Sequence, residues 1–313
     1  MTTSSEVAAD RHGPPQADAR AIVQALGGAC CYASMASLAK LAYLGGADPF
    51  AVVAVRSLGA VVLGLVLIGV LRLRLPEAPR DWLKLAALGV LIFLYSLAYM
   101  ASVRFIPAGL ATLLFFLWPI FVAMASLVLQ RQRRARPLEL AAFPLAFLGL
   151  VLSIGPGLGS LDMRGVALVI SAAVGIAVFI LISSDIARRL AGPVVVVGGN
   201  LMSLLGALIL GGVLGGLDLP VTGQGQAAMI GIALCFALGL LLQLGAIVRG
   251  GAANIAIFAN LEPLIAMGIS AWLLGERLAP TQYAGGFLVV AALALSALAR
   301  RSARTTQVAE TEL

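Results

Sequence analysis

The sequence predicts an all-α polytopic membrane protein whose ten transmembrane helices form two inverted five-helix repeats. Three observations carry that expectation. Ten apolar stretches, each about long enough to cross a bilayer, account for almost the whole chain. The basic residues alternate from one connecting segment to the next. The fourth and ninth stretches align without gaps at an offset of 144 residues. Composition agrees, because 313 residues with 61% hydrophobic and 11% charged side chains exclude a soluble domain, where about a quarter are charged. Mean hydropathy is +1.04.

The first stretch, Ala21 to Tyr43, follows a polar tail and is too long for a signal-peptide core, and comparable stretches follow it, so it is read as a helix. It carries adjacent Cys30 and Cys31, which point in different directions on a helix. With Cys235 in the eighth stretch they fit small apolar filler, not a disulfide or zinc site. His12, the only histidine, lies in the tail and fits a solvated side chain. The second stretch, Phe50 to Leu71, is parted from the third, Leu83 to Val103, by Arg72, Arg74 and Arg80. The fourth, Ala108 to Leu129, contains Trp118 and Pro119 and runs into Arg131, Arg133, Arg134 and Arg136. The fifth, Leu138 to Ile154, ends at a turn-rich connector holding Gly155, Pro156, Gly157, Gly159 and Asp162. That run lacks the Lys-Ser/Thr of a phosphate-binding loop, so no nucleotide chemistry is expected.

The sixth, Val166 to Ser184, is closed by Arg188 and Arg189. The seventh, Val194 to Leu214, ends among Gly211, Gly212, Gly215 and Gly216, whose spacing fits close helix packing or a homodimer face. The eighth, Ala227 to Val248, is closed by Arg249. The ninth, Ala252 to Leu274, holds Glu262 and Pro263, and the tenth, Tyr283 to Leu298, is rich in small residues. With the N-terminus in the cytoplasm, 16 of the 21 Lys and Arg residues fall in inside segments. Only Arg104, Arg164 and Arg277 fall outside, and Lys40 and Arg56 lie within spans. This positive-inside pattern places both termini in the cytoplasm and assigns the pI near 9.9 to topology, with no nucleic-acid partner. The expected organisation is a cytoplasmic polar tail over 1–20, a first repeat over 21–154, an outer connector over 155–164, a second repeat over 165–299 and a cytoplasmic tail over 300–313.

In the aligned fourth and ninth stretches, Ala108, Leu117, Pro119, Ser126, Leu129 and Arg133 match Ala252, Leu261, Pro263, Ser270, Leu273 and Arg277. An odd number of spans per half inverts the second copy, and inverted halves place a ligand site near the midplane where they meet. Glu262 is the most informative residue there. An ionised group at that depth costs roughly 2.5 to 3.5 kcal/mol, so it is read as a substrate ligand, a proton-coupling site or one arm of an ion pair with Arg56. Arg56 lies too deep to snorkel, whereas Lys40 near the end of its span is placed to do so. Pro119 and Pro263 each remove a backbone donor mid-helix and mark hinge points beside a cavity. Tyr95 and Tyr99, one turn apart, and Trp118 lie away from the span ends and are expected to line that cavity, with Asn260 joining Glu262. Asn200, Gln243 and Asn254 are read as helix-contact residues.

Ile106-Pro107-Ala108-Gly109-Leu110-Ala111 leading to Trp118-Pro119, with Leu261-Glu262-Pro263 and Leu274-Gly275-Glu276-Arg277, resembles the drug/metabolite transporter superfamily, specifically its EamA-type ten-helix branch. Phe116-Leu117-Trp118-Pro119 with Tyr95 and Tyr99 is similar to the aromatic amino acid exporter branch. That resemblance implies a cavity lined by Tyr95, Tyr99, Phe116 and Trp118, alternating access, export of aromatic or neutral amino acids, and residence in the bacterial inner membrane. The sequence differs from that branch in having Phe116 where tyrosine is usual, in Glu262, and in lacking a sixth-span tryptophan. Arg131-Gln132-Arg133 also stands where the second half has Gly275-Glu276-Arg277.

The leading expectation is therefore a secondary carrier of a small organic metabolite, with the lipid bilayer as solvent and no cofactor. A carrier of anionic metabolites or xenobiotics, using Arg56 and Lys40, is the alternative. An intramembrane enzyme needs paired aspartates, metal-ligating histidines or an activated serine within the spans, and the sequence offers none. A scaffold without flux is the remaining class.

Overall fold

The computed structural model describes residues 18–129, 137–154, 161–187, 189–251, 255 and 258–311. Outside them lie His12, Arg131 to Arg133, Gly155 to Gly159, Arg188 and Asn254. The elements are α1 (Ala19–Leu44), α2 (Pro49–Val70), α3 (Pro79–Ser102), α4 (Ala108–Phe115), α5 (Trp118–Leu129) and α6 (Pro137–Ile154). They continue with α7 (Met163–Ala187), α8 (Gly192–Leu214), α9 (Gly223–Gly250), α10 (Glu262–Leu274) and α11 (Pro280–Thr311). Local chemistry sets several ends. Asp18 Oδ1 accepts from Ala21 N–H at 2.7 Å, Asp48 Oδ1 from Phe50 and Ala51 at 2.6 and 3.0 Å, and Thr222 Oγ1 from Gly225 at 3.1 Å. Gly215 and Gly275 close α8 and α10 at φ of +72° and +65°, which a Cβ would strain.

The exterior is apolar in the manner of a lipid-facing bundle: Val213 is 77%, Ile209 63% and Phe287 62% exposed. Seven spans meet membrane length and composition outright, and shorter apolar helices at Ala141–Ser153, Glu262–Leu274 and Pro280–Ser296 supply the rest. Ten crossings return the chain to the side on which it began, so the bundle has a termini end and an opposite end.

The offset of 144 residues extends to the whole fold. Helix starts at 19, 79 and 118 recur at 163, 223 and 262, and those at 49 and 137 recur within one residue at 192 and 280. In each repeat the fourth span is broken. Leu117 N–H donates to Leu114 O and Phe121 N–H to Leu117 O, and the same pattern joins Leu261 to Phe258 and Ile265 to Leu261. The breaks fall just before Pro119 and Pro263, whose missing donors leave the preceding turn incomplete. Two expectations from sequence are thereby revised. The fourth span is two helices, α4 and α5, and Glu262 opens a half-helix where an unbroken one was expected. The last helix, α11, continues to Thr311.

The repeats interlock. The most extensive packing of every helix is made with a helix of the other repeat: α1 with α9, α2 with α8, α3 with α7, α6 with α11 and α4 with α10, among the described residues. Small residues permit it. A Cβ on Gly89 would lie 2.7 Å from Gly199 O, and one on Gly149 2.8 Å from Gly285 O. The glycines closing α8 have another use: Gly216 N–H donates to Gly211 O at 2.7 Å, so they form the turn after it.

Candidate functional site

Arg56 lies on α2 with 6% of its surface exposed. Its Nη2 donates to Ser96 Oγ on α3 at 2.6 Å, and its guanidinium sits 4.4 Å from the ring centroid of Phe236 on α9. Tyr95 lies beside it, and Arg56 Nε has no hydrogen-bond partner. Three helices thus hold the cation in a fixed orientation, and no carboxylate among the described residues forms an ion pair with it.

Glu262 is the first residue of α10, at the break of the second repeat. Its carboxylate forms no hydrogen bond or salt bridge among the described residues. Of the three readings of Glu262, the ion pair with Arg56 is not formed here, where Ser96 and Phe236 hold the guanidinium. Tyr32 on α1 and Tyr99 on α3 lie within electrostatic reach of both charges. Arg56 and Glu262, one from each repeat, therefore lie near the same tyrosines without forming an ion pair with each other.

The aromatic residues are already engaged with one another. Tyr99 stacks on Phe115 with centroids 4.3 Å apart, and its hydroxyl hydrogen-bonds Thr112 Oγ1 at 2.8 Å. Tyr95 meets Phe179 at 6.0 Å and Tyr32 meets Phe236 edge-on at 5.9 Å. Phe116 is 6% exposed and packs in the main core. Trp118 opens α5 and Asn260 sits in the turn before α10, both half-buried and without a hydrogen bond among the described residues. Pro119 and Pro263 are buried at the two breaks. Asn200, read as a contact between helices, bonds its own helix instead, Nδ2 donating to Val196 O at 3.0 Å.

The structure thus brings Arg56, Tyr95, Tyr99 and Glu262 into one neighbourhood and draws in Tyr32, Ser96 and Phe236. Those three were missed because an aromatic or hydroxyl side chain in an apolar span carries no mark of its partner. Lys40 is also reassigned. Instead of snorkelling it pairs with Glu276, Nζ to Oε1 at 2.9 Å.

No group of three or more His, Cys, Asp or Glu side chains that could hold a metal ion occurs among the described residues. The profile of the EamA-like transporter family matches residues 19–155 and again 163–298. The threonine/homoserine exporter RhtA of Escherichia coli (strain K12) is 30% identical over 237 residues, covering 74% of this chain and 77% of RhtA. The RhtA of strain O157:H7 matches equally. One solved crystal structure, 18% identical, superimposes with a TM-score of 0.64 over 90% of this chain and 98% of its own, which supports the fold. Two family matches, one per half, and a relative of that length together place this multi-pass membrane protein in the EamA-like transporter family of the drug/metabolite transporter superfamily.

Proposed function

We propose that the protein exports small neutral amino acids across the bacterial inner membrane by alternating access, with both termini in the cytoplasm. The carrying observation is the pair of uncompensated charges. Arg56, fixed by Ser96 and Phe236, takes the α-carboxylate, and Glu262 with the Tyr32 and Tyr99 hydroxyls takes the α-ammonium. A zwitterion satisfies both groups at once, each of which lies within the bundle without an ion-pair partner among the described residues. Tyr95 is engaged with Phe179, Tyr99 with Phe115, and Phe116 is buried in the core, which leaves little free ring surface and favours a small side chain over an aromatic one. The names of the RhtA relatives agree with that size. Lys40 is occupied by Glu276, which weakens the anionic-metabolite alternative.

Counterflow in proteoliposomes tests the proposal. Vesicles loaded with unlabelled threonine are expected to take up labelled threonine and homoserine saturably, at least about tenfold faster than labelled phenylalanine or tryptophan. Glu262→Gln is expected to abolish that uptake and its response to a pH gradient. Equal flux of aromatic substrates, or unaltered transport and pH response in Glu262→Gln, counts against the assignment.

A further inference from the structure

At the end opposite the termini, one side chain joins three elements from both repeats. Glu276 follows the C-cap of α10, its N–H bonded to Ser270 O. Its carboxylate accepts from Ala108 N–H at 2.9 and 3.2 Å, so it caps α4, whose own N-cap residue, Pro107, offers no side-chain acceptor. Lys40 on α1 pairs with the same carboxylate at 2.9 Å and donates to Ile106 O at 3.3 Å. The joint is largely withdrawn from solvent, with side-chain exposures of 28% for Lys40 and 12% for Glu276. Beneath it the helices touch: a Cβ on Gly109 would lie 2.6 Å from Ser270 Oγ and 3.0 Å from Met267 Cα.

We propose that Lys40, Glu276 and the α4 N-terminus form the latch that closes the substrate path at this end, with Glu276 as the positioning residue that acts through α4. The proposal rests on passage through the bundle interior and is independent of which amino acid travels. Closure here has to be reversible, and an ion pair that also caps a helix suits that. Parting α4 from α10 removes the cap, the ion pair and the Gly109 contact together, so the end has two discrete states. α10 also carries Glu262 at its other end, about 20 Å away by the rise of its 13 residues. The substrate site and the latch are therefore the two ends of one rigid rod.

Accessibility measures the latch without a substrate. Ser37 lies one turn from Lys40, is 1% exposed and has no partner for its Oγ. Ser37→Cys, in a background with Cys30, Cys31 and Cys235 replaced by Ala, reports whether this end is open to a membrane-impermeant maleimide. Labelling is measured from each face of oriented vesicles. Glu276→Ala and Lys40→Met are each expected to raise the labelling rate about tenfold, from the face opposite the termini only. Glu276→Gln, which retains an acceptor for Ala108 N–H, is expected to give a smaller rise. The swap Lys40→Glu with Glu276→Lys restores the ion pair and not the cap, and is expected to lower labelling below that of Glu276→Ala. Wild-type labelling rates in both Glu276→Ala and Lys40→Met overturn the proposal, and so does an equal rise from both faces, which marks general loosening. Failure of amino-acid counterflow in the parent protein tells against the substrate alone and leaves these rates to decide the latch.

Discussion

Arg56→Met is expected to lower the exchange of small neutral amino acids about a hundredfold while leaving the thermal midpoint unchanged or raised. The two effects separate because the guanidinium contributes little to stability. It is buried without a counter-ion among the described residues, its Nε is unpartnered, and its neighbours are the Ser96 and Tyr95 hydroxyls and the face of Phe236. An unneutralised cation at this depth is unfavourable by roughly 2.5 to 3.5 kcal/mol, and methionine of similar length removes that term. The substrate carboxylate loses charge-assisted hydrogen bonds worth about 1.5–3 kcal/mol, enough for the drop in exchange. Arg56→Lys is expected to fall between, because an ammonium on a flexible stem keeps the charge but not the planar fork. Counterflow rates against substrate concentration, with melting of the same preparations, make the comparison. A parallel fall in both readouts assigns Arg56 a structural role instead.

Gly285→Ala is expected to destabilise the fold by about 1–3 kcal/mol, a large effect for one methyl group. The added Cβ would meet Ser153 Oγ, Gly149 O at 2.6 Å and Ser153 N at 2.7 Å, and two of these are backbone atoms of α6 that cannot turn aside. The ladder is continuous there. Ser153 Oγ bonds Gly149 O at 2.8 Å, and Gln282 Nε2 donates to Ser153 O at 3.2 Å. Separation of α6 from α11 to admit the methyl group disturbs the Gln282–Ser153 bond that crosses between them. Gly268 on α10 provides the control, since nothing lies within 4 Å of its added Cβ. Gly268→Ala is expected to be neutral or to stabilise by up to about 1 kcal/mol through helix propensity. Urea or thermal unfolding in detergent distinguishes the pair, and equal midpoints contradict the close approach of α6 and α11.

Hydropathy and charge placement made the crossings legible, because both act on each span alone. Span ends shifted where the chain continues as helix beyond the apolar region: α3 begins at Pro79, not Leu83, and α11 runs past Leu298 to Thr311. Pro119 and Pro263 marked the breaks, while the split into half-helices depends on bonds that a proline permits but does not dictate. The duplication was visible only between the fourth and ninth spans, where Pro119 and Pro263 and the flanking arginines survive. Elsewhere the equivalent positions carry different side chains, such as Arg56 and Asn200, and only helix spacing preserves the relation. Partner choice was the illegible part. Whether Arg56 meets Glu262 or Ser96, and whether Lys40 reaches the interface or Glu276, depends on the rotation of helices from different repeats. Apolar patterning fixes that poorly, because lipid and helix neighbours are almost equally apolar.

Because every helix finds its most extensive packing in the opposite repeat, the protein has an order-of-synthesis problem. The first five helices enter the membrane before their partners exist. At about 5–20 residues per second, the 84 to 204 residues between the starts of partner helices leave each waiting roughly 4 to 40 s. Throughout that interval Arg56, Gly89 and Gly149 lie against lipid or against the wrong helices, and only the arrival of α8, α9 and α11 removes them. Neither half is a folding unit in its own right. A five-helix ancestor with the same contacts would have had to assemble as an antiparallel pair of chains, and the fused gene made that encounter intramolecular.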